Sequence, residues 1–198
     1  MSNKEIQAQR MRTFFIDAAK EILQEEGVKK LSARKVGNRA GYSYATIYNY
    51  FKDLNELLTY CLADMLEDAY RALMEVKEEG LDPREQLIRY GEQYYTYFAQ
   101  NPVLFDLLFV EDLGATPEEV SAKMGELPSV GQLLLASIGQ CAQAGYILED
   151  EVEVLAELLA SSIHGKLLFC VKRRSLEPME VVVETIRREI GYLIRRKK

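Results

Sequence analysis

The segment AGYSYATIYNYFKDLNELL, residues 40–58, holds the strongest structural signals in the chain. Gly41 follows a short helical pattern, at the position where a left-handed C-terminal cap belongs. Ser43 can cap the helix that follows it, since a serine oxygen accepts a hydrogen bond from a free N–H group. Asp53 with Glu56 three residues later forms a capping box that starts a longer helix. These signals predict a helix-turn-helix unit followed by a long helix.

The residues before this segment complete a three-helix unit. Apolar residues recur mostly at helical spacing over 4–26, and Gly27 stands where the C-terminal cap is expected. Ser32 is a suitable N-cap for a short helix over 33–39. The sequence therefore predicts helices over 4–26, 33–39 and 44–50.

The rest of the chain is helical by the same criteria. The expected helices cover 53–79, 83–100 and 102–110, a short stretch from Thr116, then 129–144, 150–173 and 178–196. No segment sustains the period-two alternation of a half-buried strand, so the predicted fold class is all-α. The charge changes sign near the start of the long fourth helix. We therefore expect an N-terminal helix-turn-helix domain over 1–52 and a C-terminal helical domain over 53–198.

The net charge of the whole chain is the sum of two segments with opposite charge. The 198 residues include 25 Lys and Arg against 31 Asp and Glu, a formal net charge of -6. Residues 1–52 hold ten basic and five acidic groups, a net of +5, whereas the remainder holds 15 basic and 26 acidic groups, a net of −11. This asymmetry indicates a module that faces a polyanion, carried by an acidic body. A solvated helix surface with a chance imbalance is the alternative.

Several classes of protein do not fit the composition. Three cysteines, far apart and without a CxxC pair, support neither a disulfide framework nor a zinc cluster. No apolar run approaches the roughly 20 residues of a membrane span, and the N-terminus lacks the pattern of a secretory signal. No HExxH, GxSxG or phosphate-binding loop is present, and the single histidine has no evident nucleophile partner. We expect a soluble cytoplasmic protein that is not an enzyme and uses no cofactor, metal or membrane.

The helix-turn-helix segment carries groups suited to DNA. Helix N-termini present free N–H groups to phosphate, lysine and arginine add cations, and hydroxyl groups add donors. The first turn of a recognition helix is where base edges are met. The candidate contacts are Ser32, Arg34, Lys35, Ser43, Tyr44, Ala45, Thr46 and Tyr48. The aromatic residues among 42–51 could instead form the core of a three-helix bundle, and for Tyr50 and Phe51 packing is the preferred interpretation.

Residues 12–58 resemble the DNA-binding domain of the tetracycline-repressor (TetR) family of transcription regulators. The resemblance rests on Ala18-Ala19, Gly27, Ser32, Val36, Ala40-Gly41, Ser43, Thr46-Ile47-Tyr48, Tyr50-Phe51 and Leu57-Leu58. It implies an α-helical homodimer with a three-helix DNA-binding domain and a C-terminal domain that binds an effector and dimerises. It also gives Tyr48 the role of the family's phosphate-contacting tyrosine.

Two positions depart from the family pattern. Leu54 stands where a phosphate-contacting lysine is usual, and Lys52 is the candidate replacement. Gly37 stands where alanine is usual, which weakens the second helix by about 1 kcal/mol relative to alanine.

Aromatic residues in the C-terminal body suggest a small-molecule pocket. A tyrosine brings apolar area and one polar tip, which suits a ligand site. The candidate effector-binding residues are Tyr94, Phe98, Phe105, Phe109 and His164. Ordinary core packing is the alternative for each aromatic residue, and a buried, hydrogen-bonded structural role is the alternative for His164.

The resemblance implies that the last two helices form a four-helix dimer interface. The residues expected there are Ala156, Ala160, Ile163, Leu167, Ile186, Ile190 and Leu193, with internal packing as the alternative. The leading hypothesis is thus a ligand-responsive homodimeric repressor on a near-palindromic DNA operator. A small helical enzyme and a helical interaction adaptor without DNA contact are the competing hypotheses.

Overall fold

The computed structural model describes residues 2–111 and 130–195, and every regular element in those ranges is helical. The all-α prediction is confirmed. The helices are α1 (Asn3–Glu26), α2 (Ala33–Ala40), α3 (Tyr44–Ile47), α4 (Leu54–Met74), α5 (Pro83–Gln100), α6 (Pro102–Phe109), α7 (Val130–Gln143), α8 (Val152–Val171) and α9 (Met179–Leu193). The short helix predicted from Thr116 lies outside the described residues.

The described chain forms two compact units. One holds residues 2–66 and 103–111, and the other holds residues 67–102 and 130–195. The division at 66/67 falls inside α4, so one continuous helix contributes to both units. The domain boundary after residue 52 remains a prediction.

Local capping signals fix the helices of the first unit. Ser2 and Glu5 form a capping box at the start of α1. The Oγ of Ser32 accepts a hydrogen bond from the backbone N–H of Lys35, so the predicted N-cap of α2 is present. α2 ends at Gly41 (φ 76°), and the backbone N–H of Tyr42 donates to the carbonyl of Gly37 at 2.8 Å. This Schellman arrangement satisfies the last carbonyls of α2 and sets the turn toward α3.

Three helix ends fall three or more residues before the predicted position, one of them that of α9, which ends at Leu193 rather than at residue 196. α3 ends at Ile47, and 48–50 form a turn in which the N–H groups of Asn49 and Tyr50 bond to carbonyls three residues back. Such i→i+3 bonds tighten the end of a helix. α4 ends at Met74 rather than near residue 79.

The second unit is built around α5. The Asp82 carboxylate accepts hydrogen bonds from the N–H groups of Arg84 and Glu85, and Pro83 occupies the first helical position. α5 packs closely on α9, because a Cβ atom at Gly91 would lie 2.6 Å from the Cδ1 atom of Ile190. The core side chains of this unit include Leu73, Leu87, Ile88, Tyr90, Tyr95, Phe98, Ile138, Leu159, Ile163, Leu167, Ile186 and Ile190.

One helix meets the length and composition of a membrane span. Residues 149–171, which include α8, have a mean hydropathy of 1.6 over their most apolar stretch, and little of that stretch is buried. The apolar residues of α8 are interrupted by Glu157 and Lys166, so the sequence contains no continuous apolar run of that length there. Most of one apolar face is therefore left exposed on this unit.

Candidate nucleic-acid interface and effector site

The recognition helix α3 separates buried residues from exposed ones. Ile47 and Phe51 are 1% exposed and hold the helix to the unit's core, whereas Tyr44 is 59% and Tyr48 51% exposed. Tyr50 is half-buried, with its ring 5.8 Å from that of Phe15. Among residues 44–51, the structure therefore separates the aromatic residues into packing residues, Tyr50 and Phe51, and two tyrosines that face solvent, Tyr44 and Tyr48.

The N-terminal end of α3 lies very close to α2. A Cβ atom at Gly37 would lie 2.9 Å from both the carbonyl oxygen of Tyr42 and the backbone nitrogen of Tyr44. Real Cβ atoms essentially never approach backbone atoms so closely. The glycine thus allows a separation between α2 and α3 that alanine would not.

The two serine caps differ in the structure. Ser32 makes the expected side-chain cap, but Ser43 makes no hydrogen bond from its side chain to the backbone of α3. Its Oγ instead lies 2.9 Å from the Oγ1 of Thr46. Ser43 occupies the N-cap position, and both hydroxyl groups remain on the exposed side of the turn.

Ion pairs with acidic residues of α1 neutralise two of the basic side chains of α2. Lys35 pairs with Glu26 of α1, and Arg39 donates to Glu25 at 2.6 Å, which lowers the pKa of that carboxyl group. Arg34 is exposed, with no ion pair among the residues that the structure describes. Of the predicted cationic contacts, Arg34 is thus better placed for phosphate than Lys35.

The start of α4 has a different charge arrangement from the family pattern. Leu54 is half-buried, whereas Lys52 is exposed two residues earlier. The backbone N–H of Lys52 donates to the Glu56 carboxylate, which fixes the backbone there while the ammonium group faces solvent. Lys52 is therefore sterically available for the contact that Leu54 cannot make.

A groove beside the recognition helix was not foreseen from the sequence. The first turns of α1 and the turn after α3 line it, through Lys4, Gln7, Arg12, Asn49 and Tyr50 among others. Asn49 is exposed next to Tyr48, so it is a further candidate contact. The sequence carries no signal for this groove, because it arises where the start of α1 meets the turn after α3, two segments far apart in the chain.

Three of the five predicted effector residues come together in the second unit. The Oη of Tyr94 lies 2.7 Å from the Nε2 of His164, and the ring centroids of Tyr94 and Phe98 are 4.6 Å apart. Burial raises the pKa of Tyr94 and lowers the pKa of His164. Both groups are thus neutral near pH 7, and they form a polar pair in apolar surroundings.

The other two predicted effector residues lie in the first unit. The rings of Phe105 and Phe109 are 5.0 Å apart, with Phe105 buried and Phe109 half exposed. The structure therefore supports a cluster of Tyr94, Phe98 and His164, and a separate phenylalanine pair on α6.

Four of the seven residues predicted for the dimer interface are buried within their own unit. Ile163, Leu167, Ile186 and Ile190 are at most 3% exposed, because they fill the core of their own unit, and Ile163, Ile186 and Ile190 surround Gly91 of α5. Ala156, Ala160 and Leu193 are half-buried. The exposed face of α8 is a different one, formed by Val154, Leu158, Ser161, Gly165 and Leu168.

Comparison with known proteins agrees with this geometry. Residues 15–61 match the sequence profile of the family described as bacterial regulatory proteins, tetR family. This range covers the second half of α1, all of α2 and α3, and the start of α4.

Relatives extend the likeness beyond the helix-turn-helix. The chain is 29% identical over 149 residues to an HTH-type transcriptional repressor of Mycobacterium tuberculosis, a match that covers 75% of this chain and 52% of the relative. The chain thus spans about half the length of the curated relatives it matches.

Solved structures share the fold over nearly the whole chain. A TetR family transcription regulator from Marinobacter aquaeolei superposes with a TM-score of 0.68 at 21% identity, covering 99% of this chain and 100% of that one. The fatty acid degradation regulator FadR from Bacillus halodurans superposes with a TM-score of 0.70 at 17% identity, covering 90% and 93%. At these identities, the likeness establishes the fold.

Proposed function

We propose that this chain, which belongs to the tetR family of bacterial regulatory proteins, is a cytoplasmic repressor that binds a near-palindromic DNA operator as a homodimer and releases it on binding a small molecule. Members of this family are DNA-binding transcription regulators and not enzymes. The observation that carries the proposal is the orientation of α3. Its exposed face presents Tyr44, and Tyr48 is exposed in the turn directly after it, whereas Ile47 anchors the opposite face.

Each exposed group has a distinct role at the DNA. Tyr44 and Ala45 lie in the first turn of the recognition helix, so they would meet base edges in the major groove. The Tyr48 hydroxyl, the Arg34 guanidinium and the Lys52 ammonium would contact phosphate oxygens. Phosphate contacts hold the register of the helix, whereas sequence is read in the first turn.

The effector is expected to bind at the cluster of Tyr94, Phe98 and His164. Two aromatic faces suit an apolar part of a ligand, and the neutral Tyr94–His164 pair can exchange its hydrogen bond for one to the ligand. α4 contributes to both compact units, so it is the element through which ligand binding would alter the helix-turn-helix. Release requires that the ligand prefer the conformation with low DNA affinity.

A salt titration of DNA binding tests the proposal. Operator duplexes would first be selected from a randomised pool with the purified protein, and binding followed by fluorescence anisotropy. Arg34→Ala should weaken binding and reduce the slope of log K against log [salt] by about 1, because one phosphate contact is lost. Tyr48→Phe should weaken binding with the slope unchanged, since the hydroxyl group is uncharged.

The matched control is Arg71→Ala, which removes an exposed arginine of the second unit. It should leave both affinity and slope as they are. If Arg71→Ala reduces affinity as much as Arg34→Ala does, the charge effect is general and the assigned interface is wrong. Failure of all duplexes to bind at low salt would reject DNA binding itself.

A further inference from the structure

The second unit contains a cleft of about 930 Å³, lined by the first turns of α5, the middle of α8 and the C-terminal part of α9. Its apolar part is formed by Ile88, Leu158 and Leu193, and its charged part comprises four arginines and three glutamates. The tyrosine–histidine cluster proposed for the effector does not line it. The cleft is therefore separate from the candidate effector site.

Arg84 is held in a defined position at this cleft. Its Nη2 donates to the backbone carbonyl of Gly191 at 3.0 Å, in the last turn of α9, where carbonyl groups lack partners within the helix. A Cβ atom at Gly191 would lie 3.1 Å from the same Nη2, so the glycine makes room for the guanidinium group. Glycine inside a helix is entropically unfavourable relative to alanine, and this close contact explains its presence.

One donor of the Arg84 guanidinium has no acceptor in the described chain. Its Nε atom is buried and makes no hydrogen bond. A buried donor without an acceptor is costly, and the contact with Gly191 uses Nη2 only. The planar guanidinium fork matches the oxygen atoms of a carboxylate or a phosphate. An anion in the cleft would therefore supply the acceptor that the fold does not.

Two ion pairs account for three of the charged groups that line the cleft. Glu189 pairs with Lys166 of α8, with 2.8 Å between Nζ and Oε1. The Nε of Arg187 lies 2.8 Å from a carboxylate oxygen of Glu92 on α5 and 3.8 Å from one of Glu184. These groups are neutralised within the fold, so they do not attract an anion.

The remaining charged groups of the cleft make no ion pair with any residue that the structure describes. They are three arginines and one glutamate, namely Arg84, Arg188, Arg195 and Glu85. Their charges sum to +2. A phosphate monoester carries about −1.5 to −2 charges at pH 7 and has three acceptor oxygens, whereas a carboxylate carries a single charge. The charge of the cleft therefore favours a phosphate monoester over a carboxylate.

We propose that this cleft binds a small organic phosphate monoester. Arg84 and Arg188 bind the phosphate oxygens, and Arg195 adds positive charge. The organic part lies against the apolar side chains of the cleft, which inorganic phosphate would leave uncovered. All of these residues belong to the second unit, so the site does not depend on DNA binding. The bound phosphate would link the start of α5 to the end of α9, because Arg84 and Arg188 belong to these two helices.

Isothermal titration calorimetry of the full chain with phenyl phosphate tests the site, with inorganic phosphate and benzoate as companion probes. Phenyl phosphate should bind at a single site and about tenfold or more tightly than either companion. Inorganic phosphate lacks an apolar part, and benzoate lacks the second charge. Absence of phenyl phosphate binding at millimolar concentration would overturn the proposal. Equal affinity for inorganic phosphate would overturn the assignment of an organic ligand.

Removal of single arginines locates the bound phosphate. Arg84→Ala and Arg188→Ala should each weaken phenyl phosphate binding about tenfold or more, because each removes charged donors. Arg188 is exposed, so its replacement tests the site even if loss of the contact with Gly191 unfolds the Arg84 variant. Arg174→Ala removes an exposed arginine of the same unit outside the cleft and should bind as the wild type does. Full binding by Arg188→Ala, or an equal loss in Arg174→Ala, would overturn the assigned site.

Gly191→Ala tests the geometry of the site with every charge retained. The added methyl group would displace the Arg84 guanidinium and should weaken phenyl phosphate binding several-fold. Gly139→Ala, where a Cβ atom would meet nothing within 4 Å, is the matched control and should not change the affinity. Unchanged affinity in Gly191→Ala would show that the position of the guanidinium is unimportant, and would overturn the role of Arg84.

Discussion

The backbone nitrogen of Tyr44 lies 2.9 Å from the place that a Cβ atom would occupy at Gly37. This contact joins the middle of α2 to the first residue of the recognition helix. In the TetR-family pattern the position is usually alanine, and for α2 alone alanine would be the better residue. The glycine is instead explained by the close packing of two helices, which sets where Tyr44 stands.

Gly37→Ala is therefore expected to destabilise the protein. Alanine gains about 1 kcal/mol in helix propensity, but overpacking against backbone atoms costs about 1–3 kcal/mol. The net expected loss is about 1 kcal/mol by urea denaturation, together with weaker DNA binding if α3 shifts. Asn38→Ala, an exposed neighbour on α2, is the control and should gain stability. Equal gains in both variants would contradict the close contact.

Tyr90 is expected to stabilise the fold through the hydrogen bond of its hydroxyl group. Its Oη donates to the carbonyl of Val130 at 2.6 Å in a buried environment. Tyr90→Phe keeps the ring but leaves that carbonyl without its partner, which costs about 1–3 kcal/mol. Urea denaturation measures the loss. Tyr192→Phe, at an exposed tyrosine, should change stability by less than about 0.5 kcal/mol, and a similar loss there would refute the assignment.

Much of the fold follows from local signals. The caps at Gly41, Ser32 and Asp82 each involve residues within a few positions, so their sequence pattern is sufficient to predict them. The end of α3 was predicted three residues too late, because the 48–50 turn depends on how Ile47 and Phe51 are buried. Propensity alone does not contain that information.

Which of the predicted contact residues are available at the surface depends on contacts between residues far apart in the sequence. Lys35 has the pattern of a phosphate contact, but its pairing with Glu26 joins α1 to α2 and is invisible to local analysis. On α8, two apolar faces have similar helical spacing. Only the tertiary structure shows that Leu167 packs inward and Leu168 faces out, so the sequence could not show that Ile163 and Leu167 fill the core of their own unit.

The two helix-interior glycines with open surroundings offer a matched comparison. A Cβ atom at Gly165 of α8 or at Gly139 of α7 would meet nothing within 4 Å. Substitution by alanine should raise the stability of the isolated fold by about 0.5–1 kcal/mol at either position. Gly165→Leu should weaken dimerisation, measured by sedimentation, whereas Gly139→Leu should not. Equal effects of the two leucine substitutions on dimerisation would show that Gly165 does not lie at the dimer interface.

Burial of His164 makes folding stability depend on pH. Because burial lowers the pKa of His164 below its ordinary value of 6.5, the unfolded chain binds a proton that the folded chain does not. The contribution of neutral His164 to the free energy of unfolding is therefore complete above pH 6.5. It is lost as the pH falls from 6.5 toward the folded-state pKa. His164→Gln removes this titration and keeps a side chain that can bond to the Tyr94 hydroxyl. Between pH 7.5 and 5.5, urea denaturation should show a larger decrease in the free energy of unfolding for the wild type than for the variant. The carboxyl groups titrate in both proteins, so their effect cancels in this comparison. An equal decrease would mean that His164 is already solvated in the folded protein.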